Sequence, residues 1–375
     1  MPSMHILETL IVLSLQLPAL MHEVSDPHAV LQEVTPLGKQ GLLNTEYIYP
    51  IDSKPTPQCH ASTLVQTSEG LVAAWFGGTH EKHQDVGIWV SRYRDERWTA
   101  PVEVANGVQS QNERYPCWNP VLFQPRHGPL MLFYKVGPTP DSWWGMLMTS
   151  TDHGKTWGKP RKLGENDRIG HLIGPVKNKP IQLDDGSLLC PSSTEHQQWR
   201  IHFEISQDMG QTWQVIGPIH EGKHFEAIQP SILVYSNQHL QILCRTRQGV
   251  IGQSWSTDAG RTWSLLTATS LPNPNAGTDA VTLSDGRQLL VYNHTKRDTQ
   301  RAPHGRQMLN IAISRDGKHW HPALTLERSD GEFSYPAVIQ THDGKIHITY
   351  TFQRVTIKHV TIDPTRIGNR NLHSE

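Results

Sequence analysis

The sequence predicts an all-β protein: a six-bladed β-propeller of four-stranded antiparallel blades, with the ring closed by an N-terminal strand. Two interleaved repeats and one mismatch between the chain ends predict it. The first repeat is a short turn phrase, Ser150-Thr-Asp-His-Gly-Lys-Thr-Trp157, which recurs as Ser206–Trp213, Ser256–Trp263 and the shortened Ser314–Trp320, with a degenerate copy at Ser91–Trp98. The spacing of 50 to 59 residues between successive starting serines is that of a supersecondary unit, too long for a heptad or a solenoid coil. In each copy Asp and Gly suit a tight turn, the hydroxyls can tie its backbone, and Trp can fill the gap between strands.

The second repeat is a hairpin. Turn signals at Ser68–Gly70, Arg126–Gly128, Asp184–Gly186, Ser236–Gln238, Ser284–Gly286 and His342–Gly344 each lie between an extended run and an apolar β-rich run such as Leu130–Tyr134 or Leu240–Cys244. Behind each of the first five comes another strand pair around the Asp-containing turn. Each unit is then a four-stranded meander, and meanders of this kind bury their apolar faces by packing on one another in a ring. The sixth unit runs out of chain, because only one further strand, Val355–Ile362, fits before the polar tail. Leu42–Tyr49, near the other terminus, is the spare strand that would complete it.

Three segments follow from this. Residues 1–39 read as a leader and linker, 40–364 as the propeller and 365–375 as a polar tail. The apolar run Ile6–Leu20 has the length of a signal-peptide core, but Glu8 interrupts it and no Lys or Arg precedes it. A secreted or periplasmic location follows if it acts as a signal, a cytoplasmic one if it does not. It is not expected to span a membrane.

Composition narrows the function. Apolar content is 36%, and 29 Gly with 26 Pro suit many tight turns. A formal net charge of −1 gives no reason to expect nucleic acid or a membrane surface as partner, so any attraction for an anion must be local. The four cysteines lack CxxC spacing and sit in apolar runs, which reads as buried free thiols. The 22 histidines are scattered, and His80-Glu-Lys-His83 lacks the spacing that puts two imidazoles on one helix face. No metal and no cofactor are expected, and the propeller is expected to be a monomer.

Strand parity assigns the candidate site. Residues entering the first strand of a blade, or leaving its second, lie on one rim of the ring at its axis. Entering are His60, Arg114, Trp118, Lys179, Glu226, Gln229, Asp279 and Tyr335; leaving are the loop to Asp85, Lys135, Ser192–Glu195, Arg245, Arg247, Asn293 and Gln353-Arg354. A cationic, aromatic-walled cup of this kind suits an anionic sugar, with guanidinium forks for a carboxylate and flat rings for a sugar face.

The Ser-x-Asp-x-Gly-x-Thr-Trp phrases resemble the Asp boxes, or BNR repeats, of the sialidase superfamily, over roughly Leu42 to Pro364. The resemblance implies an exo-acting glycosidase that removes a terminal sialic-acid-like sugar. It assigns three arginines to the substrate carboxylate, a tyrosine nucleophile with a glutamate relay, and an aspartate acid/base. Phe333-Ser-Tyr335-Pro resembles the nucleophile segment, Arg306 the third arginine, and Arg245 or Arg247 the second. Asp85 lies near the acid/base segment, with Glu81 as its rival. His60 stands where the first arginine is expected, and Gln229 where the tyrosine's glutamate is expected, with Glu226 or Asp279 as possible substitutes. Arg114, Lys135, Lys179 and Trp118 complete the expected cup.

A phenol is a weak nucleophile without a proton relay, so these departures keep two other readings open. One is β-elimination on a uronic-acid polysaccharide, with His60 and Tyr335 as base and acid. The other is a non-catalytic carbohydrate-binding propeller.

Overall fold

The computed structural model describes residues 41–236, 238–300 and 302–367. The expected leader, residues 1–39, and the last part of the expected tail, 368–375, lie outside them. Six antiparallel sheets follow one another around a ring. The first blade is built from Gln58–Thr67, Gly70–Gly78, Gly87–Arg94 and Val102–Ala105, the second from Cys117–Phe123, Leu130–Val136, Trp144–Ser150 and Arg161–Lys162. The third uses Ile181–Gln182, Leu188–Thr194, Arg200–Ser206 and Gln214–Ile216; the fourth uses Ala227–Val234, Leu240–Thr246, Val250–Ser256 and Thr267–Pro272. Asp279–Thr282, Gln288–Tyr292, Met308–Ser314 and His321–Arg328 form the fifth. Phe333–Gln340, Ile346–Phe352 and Thr356–Ile362 form three strands of the sixth.

The fourth strand of the last blade is Leu42–Tyr47, paired antiparallel with Thr356–Ile362 from Leu42 opposite Ile362 to Tyr47 opposite Lys358. The ring is therefore closed by its N-terminal strand. One blade departs from four strands: Gly87–Arg94 also pairs with the two-residue strand Arg97–Trp98, because the outer edge is interrupted before Pro101, which has no amide to donate. Among the described residues the helical segments are two single turns, Ile51–Ser53 and Pro364–Arg366, and no helix is long and apolar enough to cross a membrane. Packing continues past Pro364. Arg287 donates to the carbonyls of Pro364 and Ile367 at 2.7 and 2.8 Å, and Ile367 is buried.

The turn phrases act as their chemistry suggests. Asp152 accepts from Ser150 Oγ (2.8 Å), Thr156 N (2.9 Å) and Thr156 Oγ1 (2.6 Å), while Gly154 N donates to Ser150 Oγ (2.8 Å). The same pattern recurs at Asp208 and Asp258 and, shortened, at Asp316. The tryptophans reach back to the preceding blade: Trp263 stacks on Phe203 at 4.5 Å and Trp213 meets Phe133 at 6.2 Å. All four cysteines are free and buried.

The first strands line the axis, and four carry a bulge there. The register shifts between His60 and Thr63, between the partners of Phe133 and Lys135, between Ile228 and Ser231, and between Ser334 and Ala337. At each bulge one residue turns left-handed: Ala61 (φ 55°), Asn119 (38°), Gln229 (57°) and Tyr335 (53°). Lys177 (67°) marks the corresponding place in the third blade. A bulge releases backbone groups from the ladder and re-aims a side chain. The released amides bolt neighbouring blades together: Ala61 N donates to Thr351 Oγ1 (3.1 Å), Leu122 N to Thr63 Oγ1 (3.0 Å), and Gln229 N to Ser193 Oγ (3.2 Å).

Candidate functional site

Tyr335 occupies the bulge of the sixth blade, followed by Pro336, and its ring lies against His60 with centroids 4.2 Å apart and planes inclined by 50°. Only a small residue fits beside it. A Cβ on Gly277 would stand 3.2 Å from Tyr335 Cγ and Cδ1 and 3.3 Å from Gln229 Oε1. The hydroxyl receives a hydrogen bond from Arg245 Nη1 at 2.5 Å.

Three guanidiniums converge on this tyrosine–histidine pair. Arg245 leaves the second strand of the fourth blade; its Nε donates to Asn275 Oδ1 (2.8 Å) and its Nη1 also approaches Gln229 Oε1 (3.4 Å). Arg306 lies 5.6 Å from the Tyr335 ring centroid and donates to Glu332 Oε1 at 2.9 Å. Arg354 comes from the hairpin after Phe352, where Gln353 and Arg354 both have positive φ (50° and 58°), a geometry that Gly or Asn takes far more readily. Its Nε donates to Glu332 Oε2 (2.8 Å), its Nη1 to Glu81 Oε2 (2.7 Å), and its Nη2 lies 3.5 Å from His60 Nε2.

The electrostatics of the three differ. Arg306 and Arg354 share Glu332, whose carboxyl is held well below the usual range, because its cationic neighbours outweigh the opposing effect of burial. Burial alone would lower the Arg354 pKa, but Glu332 and Glu81 raise it above its ordinary value. Arg245 is 7% exposed, yet among the described residues its hydrogen-bond partners are all neutral and no carboxylate lies within ion-pair distance. A buried cation without a counter-ion is costly and presents an unmet demand for an anion. His60 is held well below its ordinary pKa by burial first and then by Arg354, and so is neutral near pH 7.

The structure brings together His60, Gln229, Arg245, Arg306 and Tyr335 from the expected set, with Glu81 joined through Arg354. Others have different neighbours. Glu226 pairs with Arg247 (2.9 Å), which lies over Trp199 at 4.2 Å; neither Glu226 nor any other described carboxylate hydrogen-bonds the Tyr335 hydroxyl. Asp279 is buried on the axis between Lys179 (2.9 Å), Ser231 Oγ (3.1 Å) and Val338 N (2.8 Å), so it joins blades and does not relay a proton.

Lys135 is fully buried and donates to the Asn119 and Pro175 carbonyls; Trp118 is buried with its indole N–H on Gly137 O (2.8 Å). Neither lines the cup. Lys179 faces the other mouth of the axis, on a cavity of about 1060 Å³ that includes Ser68, Arg126, His153 and His342 and none of the residues around Tyr335. Asp85 sits on a surface loop, accepting from Thr79 N (3.0 Å), Thr79 Oγ1 (2.6 Å) and His83 Nδ1 (2.7 Å), and Arg114 Nη2 donates to its backbone carbonyl (3.0 Å).

Sequence reasoning missed Glu332, Asn275 and the clamping position of Arg354. Arg354 carried a usable signal, since it leaves a second strand on the same rim as Arg245. The bulges carried another: Asn119-Pro120, Gln229-Pro230 and Tyr335-Pro336 recur in the second, fourth and sixth blades. Among the described residues no three His, Cys, Asp or Glu side chains are grouped to hold a metal ion.

Residues 69–348 match the family described as BNR repeat-like domain. The chain belongs to that family. No curated protein matches this BNR repeat-like chain by sequence. Among solved structures it is similar to a protein of unknown function from Dyadobacter fermentans, at 17% identity and a TM-score of 0.71, covering 86% of this chain and 99% of that one. It is similar to the Hadza microbial sialidase Hz136 at 18% identity and a TM-score of 0.72, covering 86% and 69%. It also resembles the intramolecular trans-sialidase from Ruminococcus gnavus at 14% identity and a TM-score of 0.65, covering 86% and 98%. At these identities the likeness concerns the fold, a propeller that this BNR repeat-like chain shares with them.

Proposed function

We propose that this propeller is an exo-acting glycoside hydrolase of sialidase type, cleaving a terminal carboxylate-bearing sugar from a glycan. The observation that carries the proposal is Arg245, a nearly buried cation with no carboxylate partner, bonded to the Tyr335 hydroxyl. A sugar carboxylate would complete the charge balance of Arg245, with Arg306 and Arg354 on its other side. It would at the same time bring the anomeric carbon to the tyrosine. Arg354 then takes the place left open by His60 at the first-arginine position.

Tyr335 attacks the anomeric carbon, and its proton needs an acceptor. Gln229 cannot take one. His60 can, because it is neutral and lies against the ring. Burial first, and then the three arginines, depress its basicity; the incoming carboxylate offsets the arginine charges while Glu332 remains close by. The test is release of free sialic acid from a fluorogenic sialoside, lost in Tyr335→Phe; a folded protein that turns over no sialoside would refute the reading.

A second reading draws on the absence, among the described residues, of a carboxylate on the Tyr335 hydroxyl. With His60 or Tyr335 as base and the arginines neutralising a uronate, the same cup would support β-elimination. Ultraviolet absorbance of an unsaturated uronate product, formed without sialoside hydrolysis, would select it.

A further inference from the structure

Two rim carboxyls stand in opposite circumstances. Asp85 is saturated: three donors from Thr79 and His83 stabilise its anion, and they hold its pKa below the ordinary value although burial opposes them. A carboxylate so stabilised gives up a proton early and is a poor donor to a leaving oxygen. Glu195 follows the second strand of the third blade. Thr194 and Arg200 form the last pair of that hairpin, so Glu195 and Trp199 flank the two ends of its loop. Trp199 lies 5.2 Å beneath the Arg245 guanidinium and 4.2 Å beneath that of Arg247.

Glu195 is partly buried, and its carboxyl makes no hydrogen bond or ion pair with any described residue. Burial pushes its pKa up, with Arg245 and Arg247 opposing from nearby. It is an uncommitted carboxyl beside the unpaired arginine.

We propose that Glu195, and not Asp85, delivers the proton to the departing glycosidic oxygen, an assignment that rests on the glycosidase reading above. In a 2-keto acidic sugar the carboxylate and the leaving oxygen are attached to the same anomeric carbon. A group beside Arg245 therefore faces both. As the anomeric C–O bond breaks, its electron pair goes to the leaving oxygen, which takes the Glu195 proton. Tyr335 oxygen forms the new bond to carbon and its own proton passes to His60. Water then attacks the same carbon and gives one proton to the Glu195 carboxylate, while Tyr335 departs with the proton from His60.

The test compares one sugar on leaving groups of different acidity, a nitrophenol against an oligosaccharide. Glu195→Gln is expected to slow the oligosaccharide by about 100-fold or more, the usual size of general-acid assistance. The nitrophenyl glycoside, which needs little protonation, should lose far less, and the basic limb of the pH profile of kcat/KM should vanish. An unchanged circular dichroism spectrum and melting temperature report that the variant is folded, and Glu195→Asp should recover part of the oligosaccharide rate.

Equal losses on both leaving groups, an unchanged pH profile, or a leaving-group-dependent loss in Asp85→Asn would overturn the assignment while leaving the hydrolase reading intact. Failure of the unaltered chain to cleave even the nitrophenyl glycoside would overturn both.

Discussion

Arg245 and Tyr335, 90 residues apart in the chain, meet at 2.5 Å between guanidinium and phenol oxygen at the centre of the ring. Two bulged or terminating strands from different blades make that contact, and it couples the cation that awaits an anion to the residue proposed to react. Replacing Arg245 separates binding from folding. In Arg245→Met the affinity for a free carboxylate sugar should fall by about 10- to 100-fold, the worth of a hydrogen bond to a charged group. The melting temperature should not fall, because the variant removes a buried charge that has no carboxylate partner. Calorimetric titration and thermal unfolding check the two halves, and a lowered melting temperature would show that the cation is compensated.

Glu332 has the converse role. It is the shared anion of Arg306 and Arg354 and also accepts from Ser334 Oγ at 2.6 Å. Glu332→Gln leaves two partly buried guanidiniums short of charge, and a loss of about 3–5 kcal/mol is expected from breaking a buried pair. Its pKa is lowered on folding from an ordinary 4.5. The unfolded chain therefore binds the proton first, and the stability Glu332 contributes is present above pH 4.5 and lost progressively below it. Urea titrations between pH 7 and pH 3 should show a steeper acid loss in the wild type than in Glu332→Gln.

The ring was legible in the sequence because Asp-Gly turns and apolar hairpins are local patterns repeated at a fixed spacing, and because a missing strand at one end matched a spare one at the other. His60, Arg245 and Tyr335 were legible through strand parity, which places strand ends on a rim without knowing the coordinates, and Arg306 through the family resemblance. What failed was partner choice. Asp279 and Lys135 lie at rim positions by count, but both side chains are buried in the core, where Asp279 accepts from Val338 N of the next blade and Lys135 donates to the Asn119 and Pro175 carbonyls. Glu332 escaped, and Arg354 was placed on the rim without a role, because their importance comes from one another, across a hairpin with two left-handed residues that no Gly or Asn announces.

The clasp should respond to acid through histidine. His359 is buried, with Nδ1 at 3.0 Å from Glu46 on the N-terminal strand and Nε2 at 3.0 Å from His347 Nδ1. Burial, then His359, lowers the His347 pKa to about 4 from 6.5. Between those values the unfolded chain binds more protons, so stability should fall as pH drops from 6.5 toward 4 and level off below. Replacing His347 by Asn should flatten that window in melting curves; an unchanged slope would place the acid sensitivity elsewhere.

Lys177 carries the same sign into the alkaline range at the axis. Its ammonium is buried and donates to Asn178 Oδ1 (2.9 Å), to Thr278 O (2.8 Å) and to the carbonyl of Pro336, the residue after Tyr335. Burial lowers its pKa to about 7 from 10.5, despite Asp279 nearby. Between pH 7 and pH 10.5 the unfolded state holds more protons than the folded one, so Lys177 makes stability rise with pH across that interval, by up to about 1.4 kcal/mol per pH unit. In Lys177→Met that contribution disappears, and the slope of unfolding free energy against pH should shrink, with the similarly buried Lys135 supplying what remains. The substitution also frees the Pro336 carbonyl and with it the left-handed turn that aims Tyr335. Turnover should therefore drop while KM, set by the arginines, changes little. A loss confined to KM would mean that the lysine acts on the anion and not on the tyrosine.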